Sequence, residues 1–224
     1  MSRIRRLLIS LSAVSILAAV SATAYADPVT IVGVESGNFS TASVDCTFNA
    51  ATNTFTFTIT NTSNITHPGS TSTITSIGFD LPPLGNASSS GLNGFTGSQA
   101  PSLGSSFTFS DADVGNVPAG FNNVVLDFAF LTGPSGNFSG GSPNDGLAPG
   151  ESASFTVTGA AFAGFTDEQI CNAIFARFQN VNSAAGSDVG VPGTSAVPEP
   201  STMLLLGTGL IGLGGLARKL MRRA

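Results

Sequence analysis

Apolar and polar residues alternate with a period of two along several short segments of the chain. The clearest segment is Thr54–Thr60, where two phenylalanines and an isoleucine alternate with four threonines. Successive side chains of an extended strand point to opposite faces, so this pattern predicts a half-buried β-strand. Val44–Asn49 and Ser152–Thr158 show the same alternation and predict two more strands.

Other apolar segments, bounded by turn residues, predict the remaining elements. Proline and glycine clusters interrupt strands, so they set the limits of these segments. Strands are predicted at Thr73–Asp80, Phe107–Phe109, Asn123–Leu131 and Ile174–Val181, loops at Gly85–Ser105 and Gly133–Gly146, and one helical turn at Thr166–Asn172.

These elements predict an all-β fold with a core of phenylalanine. Residues 27–181 are long enough to bury one core as a single domain. The expected architecture is a single antiparallel β-sandwich, immunoglobulin-like or jelly-roll-like. Asn-Thr-Ser at residues 61–63 and Leu-Ala-Pro-Gly-Glu-Ser at residues 147–152 resemble segments of bacterial immunoglobulin-like domains, although generic turn chemistry also produces both.

The N-terminus has the three parts of a secretory signal peptide. Three arginines among the first six residues precede the apolar run Leu7–Val20, and Ala24-Tyr25-Ala26 is a small-x-small cleavage site. Residues 1–26 are therefore predicted to be removed by signal peptidase after passage through the Sec translocon, with cleavage determined by Ala24 and Ala26. A retained N-terminal anchor is the alternative.

The C-terminus joins a proline motif, an apolar run and a basic tail. Val197, Pro198, Glu199 and Pro200 should be extended, because proline does not fit a helix interior. Met203–Ala217 carries no charge and is predicted to be a short transmembrane helix, weakened by five glycines. The basic tail, residues 218–224, should stay in the cytoplasm as a membrane stop through Arg218, Lys219, Arg222 and Arg223.

Residues 197–224 resemble the PEP-CTERM sorting signal of Gram-negative bacteria. That family combines VPEP, a glycine-containing hydrophobic segment and an Arg-rich end, in this order. The resemblance implies processing by exosortase, a membrane-embedded cysteine protease, and association with extracellular polysaccharide. An ordinary C-terminal membrane anchor is the alternative. Residues 182–196, rich in Ser, Ala, Gly and Pro, are expected to be a flexible linker that lets the protease reach the motif.

Charge limits the partners of the exported region. Residues 27–196 contain one basic residue, Arg177, and twelve acidic ones, a net charge of −11. Such a field repels nucleic acid and anionic lipid, so neither is an expected partner of this region. The two basic termini place the region between them across the membrane. The precursor is predicted to be anchored in the inner membrane facing the periplasm, and the product to reach the cell surface or extracellular matrix.

Cys46 and Cys171 are the only cysteines. Export places them in an oxidising compartment, and both lie in or beside predicted strands. A disulfide between them is predicted, with two buried free thiols as the alternative. Closing so long a loop should stabilise the fold by about 4–5 kcal/mol on the chain-entropy model.

Candidate catalytic and metal-binding residues are few. His67 is the only histidine, it precedes Pro68 in a turn, and no serine lies in a Gly-x-Ser-x-Gly motif, so we expect no enzyme activity. No cofactor is expected either. Asp111 and Asp113 have the spacing of loop calcium ligands, but Gly115 and Asn122 replace ligands of the EF-hand pattern, and solvated turn aspartates are the alternative.

Two functions fit these observations. The first is an exported, exosortase-processed structural or adhesive protein associated with extracellular polysaccharide or biofilm matrix. The alternative is a carbohydrate- or ice-binding module carrying the same signal, since the threonines of Thr54–Thr60 form a regular row of hydroxyls. Ice binding needs several such rows in register, and the sequence offers only Thr71–Thr75 as a partial second row.

Overall fold

Ten β-strands form the described part of the chain. The computed structural model describes residues 28–35, 37–64, 71–81, 94–101, 104–111, 124–133, 137–181 and 186–193. The strands are β1 Val29–Gly33, β2 Gly37–Asn49, β3 Thr54–Asn61, β4 Thr73–Phe79, β5 Phe95–Gln99, β6 Thr108–Ser110, β7 Phe128–Leu131, β8 Ser152–Gly159, β9 Ile174–Gln179 and β10 Ser187–Pro192. Two 3₁₀ turns, Pro143–Asp145 and Ala160–Phe162, and one helix, α1 Asp167–Cys171, connect them.

The ten strands belong to one antiparallel sheet. Its order is β5-β8-β3-β2-β1-β10-β9-β4-β7-β6. The sheet is nearly barrel-like, and phenylalanines from distant strands meet inside it. The all-β antiparallel prediction is confirmed. The prediction of a sandwich is wrong in one respect: the described strands form one continuous sheet, because β1 and β10 pair and join what would otherwise be two separate sheets.

Phenylalanine fills the interior. Phe57 on β3 stacks on Phe155 of the neighbouring β8, with ring centroids 5.0 Å apart. It also contacts Phe79 of β4 and Phe130 of β7 from the far side of the sheet, at 5.1 and 5.9 Å. These rings are fully or almost fully buried. Offset and edge-on ring pairs add to the stabilisation from burial, so the aromatic cluster joins the opposing strands.

A second, smaller core lies on the outer face of β4, β7, β9 and β10. Its buried members are Leu126, Ala129, Leu131, Phe138 and Val189. The segment around Phe138 covers this face, and the hydroxyl of Ser76 on β4 donates to the Phe138 carbonyl at 3.0 Å. Every residue of β4 and β7 is therefore buried, although a strand with one solvated face would alternate.

Several predicted boundaries need correction. The predicted loop Gly85–Ser105 contains β5, and the predicted linker 182–196 contains β10, which pairs with β1 and β9. The sheet therefore extends beyond residue 181, where we expected the domain to end. Strand β1 was not predicted. β7 begins at Phe128, later than the predicted Asn123.

The terminal segments lie outside the described residues. These include the predicted signal peptide, residues 1–26, the sorting motif, residues 197–200, and the predicted transmembrane helix, residues 203–217. Among the described residues, no helix has the length and apolar character needed to cross a membrane.

Candidate functional site

The predicted disulfide is present. Cys46 on β2 is bonded to Cys171 at the end of α1, with a Cα–Cα distance of 6.2 Å and a separation of 125 residues. Helix α1 is placed for this bond by two further contacts. Thr166 and Gln169 form a capping box at its start, and Asp167 Oδ1 accepts a hydrogen bond from the Phe48 amide at 2.9 Å. The bond therefore fastens β2 to the segment that leads into β9.

Asp111, a candidate calcium ligand, accepts hydrogen bonds from two backbone amides. Its Oδ1 accepts from the Phe95 amide at 3.0 Å and its Oδ2 from the Gly94 amide at 3.1 Å. Both oxygens thus bind backbone at the start of β5. The second candidate, Asp113, lies outside the described residues, as does His67. In the described ranges no three His, Cys, Asp or Glu side chains come together as a metal site.

Gln99 makes the corresponding contacts at the other end of β5. Its Oε1 accepts from the Phe107 amide at 2.8 Å, and its Nε2 donates to the Ser105 hydroxyl at 3.0 Å. Gln99 and Asp111 therefore connect the two edge strands, β5 and β6, through side chains. Between them, a Cβ at Gly97 would overlap the ring of Phe109. We call this contact the β5–β6 seam.

An array of hydroxyl groups covers the outer face of β2, β3, β8 and β5. The paired positions place Thr47, Thr56, Thr156 and Ser98 side by side in one row. The next row holds Thr54, Thr158 and Thr96. We define the hydroxyl face as the following twelve exposed or half-buried residues: Ser43, Thr47, Thr54, Thr56, Thr58, Thr60, Thr96, Ser98, Ser152, Ser154, Thr156 and Thr158.

Hydroxyls on this face also bond to each other across strands. Thr58 pairs with Ser154, and Thr60 with Ser152, both at 2.7 Å. Neighbouring strands lie about 4.8 Å apart and alternate residues about 6.7 Å apart along a strand, so the face is a regular two-dimensional array. Asp45, opposite Thr58, is the one carboxylate among the residues paired across this array.

The strands that contribute hydroxyl rows beside β3 differ from the one that the sequence predicts. Thr71–Thr75, the predicted second row, does not serve this purpose, because Thr73 and Thr75 are buried. The actual rows come from β2, β8 and β5, which lie on both sides of β3 in the sheet. Alternating Ser and Thr in Ser152–Thr158 was the available signal, but only the strand register shows that it continues the array of β3.

The described residues thus present a hydrogen-bonding surface. Threonine and serine hydroxyls both donate and accept, and this face offers them without a competing cluster of charge. Such a surface suits reversible contact with hydroxyl-bearing partners. The remaining predicted site residues, the cleavage alanines 24 and 26, the sorting motif 197–200 and the membrane-stop cations 218, 219, 222 and 223, lie outside the described part of the chain.

Comparison with known proteins adds one finding. Residues 196–219 match the family of the PEP-CTERM protein-sorting motif. No curated protein and no solved structure matches the chain. The predicted resemblance of the C-terminus is therefore confirmed. The motif implies an exported, membrane-anchored precursor that exosortase processes.

Proposed function

We propose that this protein is a structural or adhesive component of the extracellular matrix, exported across the inner membrane and associated with extracellular polysaccharide. The observation that carries the proposal is the sorting motif at residues 196–219. In this proposal the Sec translocon and signal peptidase produce an inner-membrane precursor facing the periplasm. Exosortase then releases the domain to the cell surface or matrix. The function requires neither a catalytic site nor a cofactor.

The hydroxyl face supports a contact with polysaccharide. Sugar hydroxyls exchange hydrogen bonds with Ser and Thr hydroxyls, and the contact gains strength when many weak bonds act together. The face repeats regularly along and across its strands, as does a polysaccharide chain. The disulfide supports export of the domain, since such bonds persist in oxidising compartments outside the cytoplasm.

The experiment that tests export compares the native host with a strain that lacks exosortase. Intact mass and location of the protein are measured in both strains. The expected product in the parent strain is a released species that begins near Asp27 and ends near Pro200, and this species disappears when exosortase is absent. A full-length C-terminus that stays in the membrane of both strains would contradict the proposal.

A second function, binding of carbohydrate or ice as a specific module, is favoured by the in-register hydroxyl rows. Glycan-array binding and thermal hysteresis of ice growth are the two measurements. The double variant Thr56→Lys, Thr156→Lys places charge at the centre of the face and should abolish either activity. Thr108→Lys, at an exposed position on β6, is the control. Equal activity of both variants would exclude the hydroxyl face as the binding surface.

A further inference from the structure

Three buried polar atoms in the described part of the chain have no hydrogen-bond partner. They are Thr75 Oγ1 and two guanidinium nitrogens of Arg177, Nε and Nη1. Buried polar groups in native proteins are nearly always paired, so each exception requires an explanation. Arg177 is 8% exposed and Thr75 is fully buried. Arg177 is also the only cation between residues 27 and 196.

Thr75 and Arg177, which carry the three atoms, lie at one irregularity in the pairing of β4 with β9. β4 pairs with β9 so that Ile74 lies opposite Phe178 and Ser76 opposite Arg177. Thr75 is therefore the extra residue of a β-bulge, and the bulge lies opposite Arg177. Bulges re-aim side chains and occur often beside functional sites.

Both side chains lie on the outer face of the sheet. The neighbours of Arg177 on β9, Ala176 and Phe178, belong to the inner core, whereas Val189, directly opposite Arg177, belongs to the outer one. Thr75 faces Gly141, because a Cβ at that glycine would lie 2.7 Å from the Thr75 Cβ. The backbone around Thr75 is held in place, since Thr132 Oγ1 donates to the Thr75 carbonyl at 2.9 Å.

The neighbouring hydroxyls bond to backbone carbonyls and make no hydrogen bond with these three atoms. The Ser76 hydroxyl donates to Phe138, and the Thr132 hydroxyl also donates to the Ser142 carbonyl. Burial without a partner lowers the pKa of the Arg177 guanidinium through desolvation. A buried charge of this kind is costly unless an opposite charge compensates it.

We infer that the bulge formed by Thr75 and Ser76, opposite Arg177, is a binding site for a carboxylate ligand. Guanidinium nitrogens only donate hydrogen bonds, and a threonine hydroxyl can also donate, so the three atoms together call for an acceptor. A carboxylate supplies two acceptor oxygens and a negative charge, the combination that arginine binds best. This inference does not depend on the proposed function.

Two sources supply such a carboxylate: a small free acid, or a uronic acid residue of a polysaccharide. The acidic surface of the domain disfavours long polyanions, while a single carboxylate at the buried Arg177 meets one local positive charge. The experiment therefore compares acetate, monomeric galacturonate and oligogalacturonate. A neutral glucose oligomer and chloride, at constant ionic strength, are the controls.

The reporter is the Nε–Hε resonance of Arg177 in the NMR spectrum of the full-length protein in detergent. The chain has seven arginines, and the Arg177 resonance is the one missing from Arg177→Met. The expected result is a saturable shift of this resonance with acetate or galacturonate and none with the glucose oligomer. A response to oligogalacturonate as well identifies a polysaccharide as a source, whereas a response to the small acids alone identifies a free acid.

Thr75→Val keeps the shape of the side chain and removes the hydroxyl. It should weaken carboxylate binding about tenfold, equivalent to about 1.4 kcal/mol. Thr108→Val is the matched control and should leave binding unchanged. A resonance that no carboxylate moves would overturn the inference, as would an equal shift with chloride. Unaltered binding by Thr75→Val would exclude the bulge as the site.

Discussion

The two halves of the sheet differ in how many faces they bury. In β2, β3, β8 and β5, which we call the one-faced half, the inner face is buried and the outer face carries the hydroxyl array. In β9, β4 and β7, the two-faced half, the 137–142 segment also covers the outer side. The one-faced half therefore presents the surface available to a partner. The two-faced half contains the bulge and the buried arginine.

The largest loss of stability is expected when the disulfide that joins the two halves is removed. Replacing Cys46 and Cys171 by serine removes the cross-link between β2 and the segment entering β9. The free energy of unfolding should fall by about 4–5 kcal/mol on the chain-entropy model. Urea denaturation of the oxidised protein, the reduced protein and the double variant measures this loss. Equal stability of all three would show that the bond does not constrain the unfolded chain.

A substitution on the inner face of the one-faced half should lower the free energy of unfolding by nearly as much. Phe57→Ala removes a buried ring that contacts Phe79, Phe130 and Phe155, so we expect a loss of about 3–5 kcal/mol. Its sequence neighbour Thr56 points to the opposite, exposed face. Thr56→Val should change stability by less than about 0.5 kcal/mol. Similar losses for the two variants would contradict the one-faced assignment.

Adding one methyl group on the outer face tests the difference between the halves directly. Gly78→Ala in β4 introduces a Cβ that overlaps Leu126, and we expect a loss of about 1–3 kcal/mol. Ser154→Thr adds a methyl to the exposed face of β8 and should be close to neutral. Thermal unfolding monitored by circular dichroism compares the two. A neutral Gly78→Ala would show that the Leu126 side chain shifts easily to make room for the methyl group.

The smallest change in stability is expected from Asp80, the residue directly after β4. Partial burial raises the pKa of its carboxyl group above the ordinary value. The unfolded chain therefore loses this proton at lower pH than the folded one, and stability falls as pH rises through that interval. Asp80→Asn should be slightly more stable than the parent at neutral pH, and the gain should vanish below about pH 3.9. A pH series of urea midpoints provides the measurement; a gain that persists in acid would argue against titration of Asp80.

The same contrast explains how much of the fold was predictable. Apolar and polar residues alternate along β3 and β8 because one face of each strand is solvated. Their sequences alone therefore indicate that they are strands and which side chains point to the core. Phe55, Phe57 and Phe155 lie in the core as the pattern predicts. The pairing of Cys46 with Cys171 followed from the cysteine count and the exported compartment. The helical turn near Asp167 was predicted as well, and its capping box explains why it forms.

Other elements depend on neighbours that are distant in sequence. β5 and β10 contain few apolar residues and several of Gly, Ser and Pro, so their local preference is for loops. Each becomes a strand through pairing, β5 with β8 and β10 with both β1 and β9. The burial of Arg177 could not be predicted from the sequence either. It requires the outer cover of β9, which no local pattern of Ile174–Gln179 indicates.

The β5–β6 seam has a consequence for how copies of this protein meet each other. An edge strand with unpaired backbone groups is a template on which a second copy can add its own strand. At the seam, the amides of Gly94, Phe95 and Phe107 already donate to Asp111 and Gln99. Two side chains thereby make these edges poor sites for polymerisation. The sheet therefore resists edge-to-edge growth by its own copies.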